Sequence, residues 1–164
     1  DEFRRDQLTE ASTRDFGKIE LKKKFEAFKS TGESPAIMFL DIDNFKTIND
    51  TYGREAGDFT LSQISGAFFA HCRSSDTLIR WENDDFAAIF DGMKKNACWN
   101  YAQKLIESIS AKEIHFKDKS FHVTISIGFS YFKEDDKTFE QAVERARKAL
   151  IDAKSAGKNR ARTE

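Results

Sequence analysis

The run RSSDTLIRWENDDFAAIF, Arg73 to Phe90, decides how this chain folds. Two apolar stretches, Thr77 to Trp81 and Phe86 to Phe90, flank the acidic segment Glu82-Asn83-Asp84-Asp85. β-branched and aromatic residues on either side of a polar turn predict a hairpin. An acidic turn between two buried strands is a place where a metal or a nucleotide can be held. Just ahead of the first strand stand Arg73 and Asp76, an arginine and a carboxylate three positions apart. The hairpin therefore carries charged chemistry at both of its ends.

Outward from this hairpin, helical and extended patterns alternate. Towards the N-terminus, Leu61, Ile64, Phe68 and Cys72 recur at helical spacing and predict a helix over 54–72. The apolar run Ala36 to Leu40 predicts a buried strand ending at Asp41. Residues 12–29 form a helix on the stripe Phe16, Ile19, Phe25 and Phe28, stopped by Thr31, Gly32 and Pro35. Towards the C-terminus, Cys98, Ala102, Leu105, Ile106 and Ile109 share one face of a helix over 97–109. Residues 121–132 are β-rich, with Val123, Ile125 and Ile127 alternating against Thr124 and Ser126. The strongest helical period runs over 139–153, and Gly157 closes that helix. Helices interleaved with hairpins predict an α/β sandwich around a central, mostly antiparallel sheet flanked by helices.

Composition narrows the function classes. The 164 residues suit one domain with a sizeable core, and sixteen Phe make that core aromatic-rich. With 27 basic against 28 acidic residues, net charge −1, the chain lacks the basic excess of a protein that binds nucleic acid polymers. No apolar run approaches the ~20 residues of a membrane helix, so no membrane segment is expected. Cys72 and Cys98 sit in no disulfide or metal motif and read as reduced thiols. His71, His115 and His122 have no metal-ligand spacing with the cysteines and read as structural. The length suits a single domain over 1–164, and the abrupt charged start suggests a fragment of a larger protein.

Several side chains carry candidate chemistry. Asp41 and Asp43 share a face if the backbone stays extended. Mg²⁺ takes one or two carboxylates with substrate phosphates completing its shell, so Asp41 and an acid of the 82–85 turn form a candidate metal site. Spacing alone favours the plainer reading, in which these acids cap a strand end and a turn. Lys46, Lys154 and Lys158 are candidate phosphate contacts, although solvated lysines are the commoner case. Asn49 and Asp58 together can complement the donors and acceptors of guanine, or serve as a helix cap and a surface acid. Arg73 offers a planar fork to phosphate or to the O6/N7 edge of guanine, and Asp76 can accept from guanine N–H groups. An isolated Arg-x-x-Asp is equally a local ion pair worth little at a surface.

Taken together, these pieces resemble the GGDEF family of diguanylate cyclases along nearly the whole chain. Asp6-Gln7-Leu8-Thr9 with Arg14 is similar to the family's opening DxLTGLxNRR. LDIDNFKTINDTYGREAGDFTL, Leu40 to Leu61, is similar to LDIDxFKxINDxxGHxxGDxxL, with Arg54 at the usual His. Thr124 to Gly128 resembles the TxSxG strand, and Ala149 to Asn159 the ALYxAKxxGKN ending. The resemblance implies a nucleotide-cyclase-like α/β sandwich. Active members join two GTP into cyclic di-GMP in an antiparallel dimer. It implies Mg²⁺ on Asp41, the Ile42 backbone and Asp84, phosphates on Lys46, Lys154 and Lys158, and guanine read by Asn49 and Asp58. It further implies a bacterial, cytoplasmic setting.

The departure falls in the motif that names the family. Glu82-Asn83-Asp84-Asp85-Phe86 stands where GGDEF is expected. The missing glycines would permit unusual backbone angles and close approach to the nucleotide, although Asn83 can adopt a left-handed conformation. Glu82 adds a negative charge beside an anionic substrate; like charges ~4 Å apart at an effective dielectric of ~20 repel by on the order of 4 kcal/mol. The turn residues Glu82, Asn83, Asp84 and Asp85 are therefore expected to be catalytically vestigial, with Mg²⁺ relevant only if a GTP site persists. By contrast Arg73 and Asp76 stand five residues before the turn, where the family places its inhibitory cyclic di-GMP site. Lys104 falls where the family often adds a basic residue to a ligand shared between two domains. The resemblance thus implies an inactive domain acting as a cyclic di-GMP receptor, in a possible ligand-bridged homodimer with an unnamed downstream partner and no required cofactor. The alternatives are a weakly active diguanylate cyclase and a nucleotide-independent interaction module.

Overall fold

A computed structural model describes residues 4–164. The order of elements is α1 (Arg14–Thr31), β1 (Ala36–Ile42), α2 (Phe45–Tyr52), α3 (Arg54–His71), β2 (Thr77–Arg80), β3 (Asp85–Phe90), α4 (Lys95–Ala111), β4 (Ile114–Phe116), β5 (Lys119–Phe121), β6 (Ile125–Tyr131), α5 (Phe139–Ser155) and β7 (Ala161–Thr163). Five strands form one sheet in the order β2-β3-β1-β6-β7, and β4 with β5 makes a separate hairpin. Every pairing in the main sheet is antiparallel except β6 with β7. The sheet is therefore mostly antiparallel and flanked by helices, the predicted sandwich.

Why the central strands read as continuous apolar runs is plain from their surroundings: both faces are covered. Met38, Leu40, Phe86, Ala88, Phe90, Ile127 and Phe129 pack against α3 and α4. Ile37, Phe39, Ala87 and Ile89 pack against α1 and α5, through Leu21, Phe25, Ala142, Val143 and Ala146. Helix α5 lies so close on β6 that a Cβ on Gly128 would stand 2.3 Å from the Ala146 carbonyl oxygen. Only glycine allows that approach.

Helix ends follow local chemistry. The Thr13 hydroxyl accepts the Phe16 N–H at the start of α1, and Gly32 ends it at φ 76°. A capping box of Thr138 and Gln141 starts α5. Gly157 lies two residues past α5 at φ 129°. Strand β1 runs through Asp41 to Ile42, not stopping at Asp41, because both residues still pair with β6. That extra length keeps Asp41 within the sheet, opposite Ser126 of β6 and Asp85 of β3. Four elements carried no expectation from the sequence: α2 is only eight residues long, and β4, β5 and β7 are three each. Each is too short to establish a period.

Candidate functional site

At the C-terminal end of β1, the chain gathers its motif residues around one buried carboxylate. Asp43 accepts the Thr124 and Ser126 hydroxyls, both at 2.7 Å, and the Asn159 N–H at 3.0 Å. It is therefore a satisfied hub, binding the β1–α2 loop to β6 and to the segment after α5. Asn44, Lys158 and Asn159 adopt left-handed backbone at this junction. Lys158 Nζ donates to Asn44 Oδ1 at 2.7 Å.

Asp41 is different. Its Oδ2 pairs with Lys154 Nζ at 2.9 Å, while its Oδ1 is buried without a partner. The same ammonium lies 3.8 Å from Asp43, so Asp41 and Asp43 do share a face and a cation. Burial foremost, opposed by Lys154 and reinforced by Asp84, raises Asp41 from 3.8 to about 7. An unpartnered buried oxygen beside a second carboxylate is the electrostatic condition that a divalent cation relieves. Two carboxylates fit Mg²⁺, which takes one or two from a protein. The residues present therefore fit the implied ion, with Asp41, Asp84 and the Ile42 backbone as the groups that would hold it. When bound, it would neutralise charge on a phosphate. Among the described residues no group of three or more His, Cys, Asp or Glu side chains forms a metal cluster.

The 82–84 turn closes without left-handed backbone, since neither Glu82 nor Asn83 has positive φ. The left-handed Asn83 considered from the sequence is not adopted. Arg80 makes the turn possible: its guanidinium donates to the Glu82 carbonyl at 3.1 Å and the Asn83 carbonyl at 2.7 Å. The same group holds Asp6 Oδ2 at 3.0 Å, tying the N-terminal segment to the hairpin. On the inner side, Asp85 Oδ1 accepts the Glu82 N–H at 2.8 Å. Burial raises Asp85 to about 6, with that N–H opposing and the Glu82 charge adding. The Glu82 carboxylate lies 3.7 Å from Arg14 and 3.9 Å from Arg147. Its charge is thus matched within the chain.

The opposite end of the hairpin is a closed lock. Arg73 Nη2 donates to Asp76 Oδ1 at 2.6 Å, and its Nε contacts both carboxylate oxygens at 3.1 and 3.3 Å. The Arg73 backbone N–H adds a bond to Asp76 Oδ2 at 2.8 Å. The Asp76 side chain is fully covered, whereas that of Arg73 stays 43 % exposed. Arg73 also donates to the Asp91 carbonyl at 2.8 Å, and Asp91 pairs with Lys24 of α1. Asp76 thereby orients the arginine, whose outer edge faces a groove of about 490 Å³ lined by Phe16, Phe69, Ser74 and Arg5 among others.

The remaining candidates are scattered. Lys46 pairs with Asp50 on α2, with Lys46 90 % exposed. The Asn49 amide lies over Gly57, where a Cβ would stand 1.8 Å from its Oδ1; Asp58 follows, exposed on α3. Lys104 is exposed on α4, outside the groove beside Arg73. Cys72 and Cys98 are free, and burial pushes both thiols up, away from reactivity. Sequence reasoning missed Arg80 and Arg147. The only signal was a charge on an otherwise apolar strand and on the 3.6-residue stripe of α5.

A five-stranded sheet of this order, with the β1 carboxylates and the hairpin turn on one side, defines a nucleotide-cyclase-like α/β domain. The chain belongs to the GGDEF family: the family described as "Diguanylate cyclase, GGDEF domain" matches residues 3–160. Diguanylate cyclase A of Treponema denticola is 37% identical over 128 residues, covering 78% of this chain and 34% of that protein. Diguanylate cyclase DosC of Escherichia coli is 30% identical over 158 residues, covering 94% and 34%. The chain thus spans about a third of the length of these relatives. Among solved structures, the GGDEF domain of DgcB from Caulobacter crescentus, in complex with c-di-GMP, superposes with TM-score 0.92 at 24% identity, covering 98% of this chain and 92% of that one. Diguanylate cyclase SiaD of Pseudomonas aeruginosa, in complex with its activator SiaC, gives 0.92 at 28% identity, covering 98% and 61%. No helix among the described residues is long and apolar enough to cross a membrane.

Proposed function

We propose that this GGDEF domain is a cyclic di-GMP receptor working through Arg73 and Asp76, with turnover lost at the 82–85 turn. The observation that carries the reading is the orientation of Arg73. A fully covered carboxylate holds its guanidinium in place while its outer edge lies on an open groove. With Nε on Asp76 and Nη2 shared between Asp76 and the Asp91 carbonyl, Nη1 is left to donate to a phosphate oxygen or a guanine acceptor. Phe16 and the 39 % exposed Phe69 supply aromatic walls on which a base can stack. The role needs no cofactor. We read the domain as one module of a larger cytoplasmic, bacterial signalling protein, in which a shared ligand would bridge two copies.

Calorimetric titration with cyclic di-GMP tests the reading. Saturable binding at micromolar ligand, lost in Arg73→Ala, is the expected result; absence of heat, or an unchanged isotherm in the variant, rejects it.

A second reading has a specific observation in its favour. Asp41 and Asp84 keep the carboxylates for Mg²⁺, and the Glu82 charge is matched by Arg14 and Arg147 instead of facing a nucleotide unpaired. That arrangement supports residual diguanylate cyclase activity. Incubation with GTP and Mg²⁺, read by chromatography, decides it: sustained product abolished by Asp84→Ala establishes the enzyme.

A further inference from the structure

Arg14, the first residue of α1, and Arg147, in the middle of α5, approach each other across the end of the hairpin. Each is supported by an aromatic face: Arg14 Cζ lies 4.8 Å from the Trp81 ring centroid, and Arg147 Cζ lies 5.2 Å from that of Phe39. Both rings are buried core residues, so each guanidinium has a fixed aromatic face to rest on, independent of Glu82. What lies between them is the Glu82 carboxylate. Its contacts, 3.7 and 3.9 Å, are ion pairs outside hydrogen-bond length. Arg14 Nε is buried and has no acceptor. Two ring-supported arginines with an unmet donor are thus only loosely satisfied by the carboxylate they hold.

We propose that Arg14 and Arg147 form a binding site for a phosphate-class anion, which Glu82 of the same chain fills in the free protein. Release of Glu82 requires only a side-chain rotation, because its backbone N–H stays on Asp85 and its carbonyl on Arg80. The side chain is 49 % exposed, so its path to solvent is open. A phosphate group offers more acceptor oxygens than a carboxylate and can serve both forks together. Asp84 and Asp85 stand nearby and oppose the anion; Lys18, whose Nζ lies 5.8 Å from the Trp81 ring, adds a further positive charge. The phosphate can belong to a nucleotide or to a free polyphosphate. The site is independent of Arg73, which lies at the other end of β2.

The test is titration of wild type and Glu82→Gln with pyrophosphate, and in parallel with GTP, both at low salt without divalent cation. Glu82→Gln is expected to bind pyrophosphate at least tenfold more tightly than wild type, and Glu82→Gln with Arg147→Gln is expected to lose that gain. Tighter binding of GTP than of pyrophosphate assigns the phosphate to a nucleotide; equal affinities assign it to a free polyphosphate. Equal pyrophosphate affinity in wild type and Glu82→Gln, or a gain that survives without Arg147, overturns the proposal. Should the double variant not fold, the ¹⁵N-resolved Nε–H signals of Arg14 and Arg147 in Glu82→Gln report directly. Both are expected to shift with pyrophosphate, and unshifted signals at saturation overturn it equally. Cyclic di-GMP calorimetry on Arg73 is untouched by either outcome.

Discussion

The two ends of strand β2 use the same chemistry in opposite ways. At one end Arg73 grips Asp76, a side chain with no exposure, through three contacts of 2.6–3.3 Å from its guanidinium. At the other, Glu82 is half exposed and reaches its arginines at 3.7 and 3.9 Å. The first pair is built into the fold; the second is a surface accommodation of a charge that the family's turn does not carry. Burial, not the identity of the charges, separates them. A covered carboxylate must keep its partner, because an unpaired buried charge is costly, while an exposed one can exchange it. A receptor needs the first kind of arginine and an exchangeable site needs the second.

The largest effect should come from removing the built-in arginine. Arg73→Ala strands the Asp76 carboxylate, and loss of one partner of a buried pair costs ~3–5 kcal/mol. Because Arg73 is 43 % exposed, the lower end of that range, about 3 kcal/mol, is expected by chemical denaturation. A loss below ~1 kcal/mol would place Asp76 in contact with water and erase the contrast between the two ends. A double variant, Arg73→Ala with Asp76→Ala, should recover part of that stability without recovering ligand.

A yardstick for a closed pair lies away from both ends. Arg145 on α5 donates to Asp136 Oδ1 and Oδ2, each at 2.7 Å, and the Asp136 side chain is 2 % exposed. Arg145 beside it holds Asp136 below its ordinary value. A depressed carboxylate stabilises the fold above its unfolded pKa of about 4, and that contribution disappears as pH falls through the lower folded value. Asp136→Asn should therefore cost ~2–3 kcal/mol at pH 7, and the gap to wild type should begin to narrow once pH falls below about 4. Thermal melts at pH 7 and pH 3 check this; a gap that stays as wide in acid would assign the effect to packing.

Between these extremes stands Arg80, which is 18 % exposed and serves the turn itself. Arg80→Ala removes one ion pair to Asp6 and two bonds to the carbonyls of Glu82 and Asn83. About 2 kcal/mol is expected, from charged hydrogen bonds worth ~1.5–3 kcal/mol each less what water restores. Hydrogen exchange should rise at Asn83 and Asp84 while the amides of α3 stay protected. Uniform loss of protection would mean that the arginine holds the whole hairpin.

How far all this was legible in the sequence follows the same division. The long elements were readable because 18-residue helices repeat their apolar stripe several times, and β1 and β3 are buried on both faces. The order of the motif residues identified the family, and with it the hairpin turn. What could not be read was the pairing of charges. Glu82 looked like a bare charge aimed at a substrate because Arg14 is 68 positions upstream and Arg147 is 65 downstream, by their numbers. Asp43 looked equivalent to Asp41, yet one is saturated by two hydroxyls and an N–H while the other keeps an empty oxygen. Alternation along β1 gives them the same face, but only the packing of Thr124, Ser126 and Asn159 tells them apart.

The smallest effect is expected where the sequence departs furthest from its family. Glu82→Ala removes a half-exposed carboxylate from two long ion pairs, and exposed pairs contribute ~0–1 kcal/mol. The turn should survive, since Arg80 and Asp85 hold its backbone and neither grips the Glu82 side chain. Salt sharpens the case. With a Debye length of ~10 Å at 0.1 M and ~3 Å at 1 M, whatever Glu82 contributes should vanish at high salt, while the covered Arg73–Asp76 pair keeps its worth. Denaturation of Glu82→Ala and Arg73→Ala at both salt concentrations measures the two ends of one strand on one scale. A Glu82 effect above ~2 kcal/mol that resists salt would show a buried lock there too, and the arginines it holds would then not be free to take another anion.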